Sequence, residues 1–405
     1  MFYKQRLVFA NTSDQPNTIW FSRTGSPRNF LETTNDADAF SVAPATEKTD
    51  AINYIVQTSG GIAVLTGGAE FFLRSSGALS PTSVEIDDHT FWGSFSDFKP
   101  VRVGNEILFN QRGGMRLRAL SYRYEVDGLV SPDISVTSSH IPVDHGAFIG
   151  AAYQQEPNNI VWVVLEDGTI ASNTLNREQE VIAWARHTLN GQVASIESIP
   201  TYIGYDRVLA LVKRGSMVYL EEMTQSEYLD SAIIRIGSSS NIVSVGAELN
   251  WADSADDIKA YYMDADAFML IKVESFNKTD GLVTLIDDDY DGKIIHLGKT
   301  INCKVDMLPP DVSQAPQSGR DYRVSVQRVT ASLYQTLGLI VNGTEVSTTR
   351  FTDNPLAPRI PVSRDIIVSE HGWRDMADFK LTIEHNYPSP FQLQSVVMKV
   401  EMNAK

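Results

Sequence analysis

The densest run of chemistry-bearing side chains is LIDDDYDGKIIHL, where Asp287, Asp289 and Asp291 alternate ahead of Gly292. Carboxylates at every second position followed by glycine resemble the opening of a calcium loop, in which oxygen ligands surround the ion and the glycine makes the sharp turn. The twelfth position of such a loop supplies a bidentate glutamate, and here it is Gly298. The flanking residues are strand-like rather than helical, which excludes an EF-hand. The motif reads as an acidic exposed hairpin turn. Asp287, Asp289 and Asp291 remain the weak candidate ligands for a calcium loop of another type.

A second group, His140, Asp144 and His145 in SSHIPVDHG, has metal-ligand residue types. It lacks a helical H-x-x-x-H and a cysteine pair, so these residues read as loop histidines between strands. The single cysteine, Cys303, lies in the apolar-rich run INCKVDML and reads as a buried, inert thiol. One cysteine excludes an internal disulfide framework and fits synthesis in a reducing compartment. The glycine pairs have neither the GxxxxGK[ST] nor the GxGxxG spacing that cradles phosphate, and no GxSxG elbow is present. No spacing singles out an acid/base dyad among the 50 acidic residues. No catalysis and no cofactor are expected.

The elements that would position any site are strands. Apolar runs begin at Ile19, Ile62, Ile107, Ile160 and Val208, in steps of 43, 45, 53 and 48 residues. Several continue through a turn into a second run, as in LTGGAEFFL, FNQRGGMRLRAL, LEDGTIASNTL and VKRGSMVYLEEM. Short strands at this interval are the pattern of propeller blades. Ile62, Val64, Leu108, Val161, Val163, Leu209 and Leu211 are the expected core. Asp-Gly and Asn-Gly pairs at 127, 167, 280, 291 and 342 suit type I′ hairpins. Trp20, Trp162 and Trp184 lie in or beside the runs and read as core packing.

The rhythm stops near residues 224–232. The expected division is a β-propeller-like repeat region over 1–225 and a β-rich platform or tube region, sandwich or barrel-like, over 226–405. Part of the second region is a candidate to complete the propeller. The best helical candidate, around 252–268, is short and mixed. The segments 322–334 and 391–400 read as strands. The Pro-rich stretch 308–319 reads as an exposed connection. The fold class is all-β, with more than 35% strand and under 12% helix expected, against usual values near 20–25% and 30–35%.

The 405 residues carry a formal charge of −16. Such a chain should not hold phosphate backbones tightly. No apolar stretch reaches the ~18–20 residues of a membrane span, so stable membrane insertion is not expected. The first residues lack the layout of a signal peptide.

The ordered set QRLVF, GGAEFFL, FNQRGG, YQQEPNNIVW, DGT and REQEVIAW resembles the tail nozzle proteins of short-tailed bacteriophages, also called tail tubular protein B or DNA-stabilisation proteins. The resemblance covers residues 5–225 well and 226–400 more loosely, through EYLDSA, TINCKVDMLPP and HNYPSPFQLQSV. It implies a propeller joined to tube or platform domains, in a homohexameric structural ring of a podovirus-type virion tail. It further implies assembly in the host cytoplasm and contact with a tail adaptor protein and with tail fibres or a needle. Double-stranded DNA would be retained and then ejected through the ring without tight or specific binding. Family members are expected to carry a substantial region before QRLVF, whereas Met1 stands four residues ahead of it. Missing blade strands would then come from the C-terminal half, a neighbouring subunit or a separate polypeptide. Two alternatives belong to other classes: a propeller that binds a protein or receptor, and a glycan-degrading tail component using paired carboxylates.

Overall fold

A computed structural model describes residues 1–44, 50–286, 290–310, 322–349, 358–369 and 372–404. Strands account for 53% and helices for 5%, so the protein is all-β as its turn-and-strand rhythm requires. The chain forms two compact units, Met1–Thr224 and Gln225–Lys405.

The first unit contains five consecutive antiparallel sheets. Sheet 1 is β1 (Phe2–Tyr3), β2 (Arg6–Ala10), β3 (Ile19–Phe21) and β4 (Phe40–Val42). Sheet 2 is β5 (Ile52–Gln57), β6 (Ile62–Thr66), β7 (Glu70–Ser75) and β8 (Val84–Thr90). Sheet 3 is β9 (Val101–Val103), β10 (Glu106–Asn110), β11 (Leu117–Arg123) and β12 (Gly128–Val130). A short helix, α1 (His140–His145), leads to sheet 4: β13 (Phe148–Gln154), β14 (Ile160–Leu165), β15 (Ile170–Asn176) and β16 (Val181–His187). Sheet 5 has three strands, β17 (Gln192–Ile199), β18 (Arg207–Arg214) and β19 (Met217–Met223). In each sheet the spatial order follows the chain, as in a propeller blade.

Adjacent sheets pack face to face, and alternation divides each central strand between two cores. From β6, Ile62 and Val64 join Val8, Ile19 and Phe21 of sheet 1. Their neighbours Ala63 and Leu65 join Ile107 and Phe109 of sheet 3. From β14, Val161, Val163 and Leu165 pack with Leu108 and Leu117, while Trp162 and Val164 pack with Val208, Ala210 and Val212 of sheet 5. Strands buried on both faces carry unbroken apolar runs, and β6 is buried at all five positions.

Buried arginines add polar cross-links. Arg6 is 1% exposed. Its Nη1 donates to the Ser22 carbonyl at 2.7 Å and the Asp38 carbonyl at 2.6 Å, and its Nη2 donates to the carbonyls of Asp36 at 2.7 Å and Leu79 at 3.1 Å. The last of these bonds ties sheet 1 to the β7–β8 turn. Close approach at the sheet junctions requires glycine. At Gly93, with φ of 70°, a Cβ would lie 2.2 Å from the Gly67 carbonyl oxygen.

The second unit pairs sheets more irregularly. β20 (Leu229–Ile236), β26 (Ile294–Thr300), β22 (Lys259–Asp264) and β23 (Ala267–Ile271) form one sheet. It packs through Ala260, Ile295 and Leu297 on Val243, Val283 and Leu285 of a sheet made from β21 (Ile242–Ser244), β25 (Leu282–Leu285) and β24 (Val273–Asn277). Another sheet is β27 (Cys303–Asp306), β33 (Thr382–His385), β29 (Leu339–Val341) and β30 (Thr344–Val346). Its partner sheet has β28 (Tyr322–Thr336) flanked by β31 (Val362–Val368), β32 (Trp373–Asp375) and β34 (Leu393–Ala404). Val329, Ala331 and Leu333 meet Leu339, Val341 and Ile383 between the last two. These are sandwich-like sheet pairs, with no closed barrel among the described residues.

Three expectations need correction. The candidate helix at 252–268 is a single 3-10 turn, Ala255–Asp257, followed by β22 and β23. Its apolar residues alternate against β26, and tertiary packing overrides the weak helical signal. Both residues of a type I′ turn have positive φ only at Asn342-Gly343 (48° and 78°), whereas at positions 167, 280 and 291 only the glycine does. The expected core register of sheet 5 is displaced by one residue. Val208, Ala210 and Val212 are buried, while Leu209 is half-buried and Leu211 is 40% exposed. Sheet 5 has one neighbour in its unit, so only one face of β18 is covered. Val208→Ala should accordingly cost about 2 kcal/mol in denaturant unfolding, and Leu211→Ala less than about 1 kcal/mol. The reverse order would place the other face of β18 in the core.

Candidate functional site

Asp287 and Asp289 lie outside the described residues. Asp291 is exposed beside the turn at Gly292, where φ is 71°. No cluster of three metal-ligating side chains occurs among the described residues.

His145, at the end of α1, does not join His140 or Asp144. Its Nδ1 lies 2.7 Å from Asp167 Oδ2 and 3.3 Å from Thr169 Oγ1, and its Nε2 lies 3.2 Å from Arg186 Nη1. Asp167 and Thr169 flank Gly168 in the β14–β15 turn, and Arg186 comes from β16. The His145 ring thus ties the connector between sheets 3 and 4 to sheet 4 itself. With Nδ1–H donating to the carboxylate, Nε2 accepts from the guanidinium. The arrangement fastens the connector to the sheet through side-chain hydrogen bonds.

Among the described residues the most deeply buried carboxyl is Glu70, at the start of β7 and 0% exposed. Burial pushes its pKa above the ordinary carboxyl range, and hydrogen bonds from Thr90, Trp92 and Gly93 and the charge of Arg118 oppose that rise. Arg118 lies 3.5 Å over the Trp92 ring and donates to the Ser131 carbonyl at 2.7 Å and to Gln111 Oε1 at 2.8 Å. Glu70, Trp92 and Arg118 therefore bracket the crossing from sheet 2 to sheet 3. In the second unit, His296 Nδ1 is 2.9 Å from Glu227 Oε1, and the Tyr261 hydroxyl donates to Glu227 Oε2 at 3.3 Å. Tyr261 stacks on His296 with centroids 4.6 Å apart, and its pKa is raised first by burial and then by the neighbouring carboxylate. Sequence spacing signals neither cluster, because their members are up to 69 residues apart.

The remaining expectations concern isolated side chains. Cys303 is half-buried, and burial raises its thiol pKa. Trp162 is 8% exposed and donates to Gln154 Oε1 at 3.0 Å. Trp184 is half-buried and donates to the Ile134 carbonyl at 2.9 Å. Trp20 is half-buried on the outward face of sheet 1, away from the intersheet core.

The positions of these groups are those of cross-links between strands and sheets, and the family comparison agrees with a scaffold. Residues 1–149 match the family model of bacteriophage nozzle proteins. The match spans sheets 1–3 and the connector to sheet 4 and bears out the tail-nozzle resemblance of the sequence. No curated protein matches the chain in sequence. Among solved structures, the N-terminal domain of Nup159 is 10% identical, with 73% of this chain and 86% of that chain covered and a TM-score of 0.30. A protein from Lactobacillus plantarum is also 10% identical, with coverages of 71% and 86% and a TM-score of 0.30. A bifunctional GH43-CE protein of Bacteroides eggerthii is 9% identical, with coverages of 99% and 62% and a TM-score of 0.25. Likenesses this low carry no conclusion about this chain.

Glu70 gives a signed pH prediction. A carboxyl whose folded pKa is raised contributes stability that is fully present below its unfolded pKa and is lost as pH rises through the folded pKa. Glu70→Gln removes this titration, so its melting temperature should gain on that of the parent as pH is raised from about 4. A constant difference across that range in parallel thermal melts would show that Glu70 does not titrate with folding.

Proposed function

We propose that this chain is a structural component of a short-tailed bacteriophage tail, forming part of the distal nozzle ring that retains genomic DNA and then passes it to the host. The observation that carries this reading is the nozzle-family match over residues 1–149. That match supports a phage tail structural protein and a virion location. Two further observations agree with a scaffold. Five chain-ordered sheets follow one another in the first unit, and Arg6, Glu70, Arg118 and His145 are engaged in cross-links at their junctions.

In the proposed assembly the chain forms a homohexamer and meets a tail adaptor and fibres or a needle. It is assembled in the host cytoplasm and has no enzymatic role. A conduit for a long polyanion must avoid many simultaneous phosphate contacts, because each neutralised phosphate adds affinity and slows sliding. The formal charge of −16 suits that need. Retention then comes from a constriction or plug rather than from a basic surface.

Particles assembled without this chain should lack the distal tail density in electron micrographs and should lose packaged DNA on storage. Normal, infectious tails without it would overturn the proposal. The purified chain should bind free duplex weakly, with a Kd above about 10 µM at physiological salt. Submicromolar binding with a steep negative salt slope would rule out a low-friction channel wall.

A further inference from the structure

The four intersheet cores of the first unit are built alike, with alternate residues of one sheet meeting alternate residues of the next. The two end sheets each retain an outward face of the same kind. On sheet 1 this face carries Phe2 and Phe9, which are 65% and 53% exposed, with Leu7 and Trp20 half-buried. Phe9 pairs across the strands with Trp20, and Trp20 with Ser41, so these residues share one surface. Phe30 packs on Phe9 with centroids 5.6 Å apart. None of the named side chains is charged.

On sheet 5 the outward face carries Leu211 and Leu220, which are directly paired across β18 and β19 and are 40% and 68% exposed. Val218 beside Lys213, half-buried Leu209 and Ile199 lie on the same side. The Arg207–Glu222 pair at 2.6 Å neutralises one end of this face. β19 is also the outer strand of its sheet, which has three strands where the other four have four. Glu197, opposite Leu209, and Lys213 are exposed on this same side. Repeat arrays normally cover their ends with polar surface; the sheet 1 end is apolar, and the sheet 5 end sets exposed apolar side chains among charged ones.

We infer that the outward face of sheet 5 in one copy packs on the outward face of sheet 1 in a second copy. Two observations favour a second copy as the occupant. The contact would continue, in the same sense, a seam that already occurs four times within the chain. Every copy carries both halves of the seam, so no other protein is needed to complete it. Because the two halves differ, the contact is head-to-tail and propagates into a ring or open array instead of stopping at a symmetric dimer.

The test uses the full chain with Cys303→Ser and two separate single-cysteine variants, Phe9→Cys and Leu220→Cys, treated with a short bis-maleimide. Mixing the two variants should give cross-linked dimers, and either variant alone should give none. In sedimentation of the uncross-linked parent chain, species larger than the monomer should form. Leu220→Glu and, independently, Phe9→Glu should each raise the concentration for half-dissociation at least about tenfold without lowering the melting temperature, since both side chains are exposed. A monomer at all concentrations with no cross-link in the mixture would overturn the inference, whether the faces are bare or await a foreign sheet. It would also be overturned if a Phe9→Cys/Leu220→Cys chain cross-linked internally as a monomer, or if either single variant dimerised by itself. The tail reading can fail separately: assembly through these faces needs no phage, and a tail protein can assemble through other surfaces.

Discussion

The first unit depends on one geometric constraint: a strand packed on both sides must supply two cores with alternate side chains. At β6 the constraint yields Ile62 and Val64 for one neighbour and Ala63 and Leu65 for the other. A one-residue slip would exchange these sets and place a small alanine where a branched side chain fills the gap. Register in sheets 2, 3 and 4 is therefore fixed from two directions. In sheets 1 and 5 it is fixed from one, and the apolar residues left outside follow directly.

Polar cross-links complement the apolar seams where the chain leaves one sheet for the next. Arg6 gathers four carbonyls from the sheet 1 loops and the β7–β8 turn. His145 binds Asp167 across the entry to sheet 4. Asp206 Oδ2 accepts from the backbone N–H groups of Gln155 and Glu156 at 2.9 and 3.1 Å, joining the turns of sheets 4 and 5. Without Arg6, the buried carbonyls of Ser22, Asp38 and Leu79 would lose this partner, and a buried backbone group left unsatisfied costs about 1–3 kcal/mol. The titratable groups of this unit thus fasten one sheet to another.

The sequence revealed the strands more readily than their partners. IAVL and IVWVVL are unbroken apolar runs because both faces are covered, and such runs announce themselves. RVLALVKR was harder to read, since every residue from Val208 to Val212 is apolar although only alternate ones are buried. No local pattern says that sheet 5 lacks a second neighbour. The relay at His145 left one trace, the Asp-Gly-Thr turn, but Arg186 arrives from 41 residues away. The clusters at Glu70 and Glu227 rest on tertiary burial and left no periodic trace. In the second unit, β20 pairs with β26 and β28 with β34, so neighbours in space are distant in sequence and the regular interval disappears.

That difference in connectivity sets the order in which the halves can be built. Each of the first five sheets closes within a contiguous stretch, so its loop-closure cost is small and its pairings are local. As the chain is synthesised, each sheet can form soon after its last strand emerges and cover the apolar face left by its predecessor. β28 cannot gain its long partner until Leu393–Ala404 has been made. The first unit therefore has time to assemble while the sheet around β28 still waits for a strand made much later.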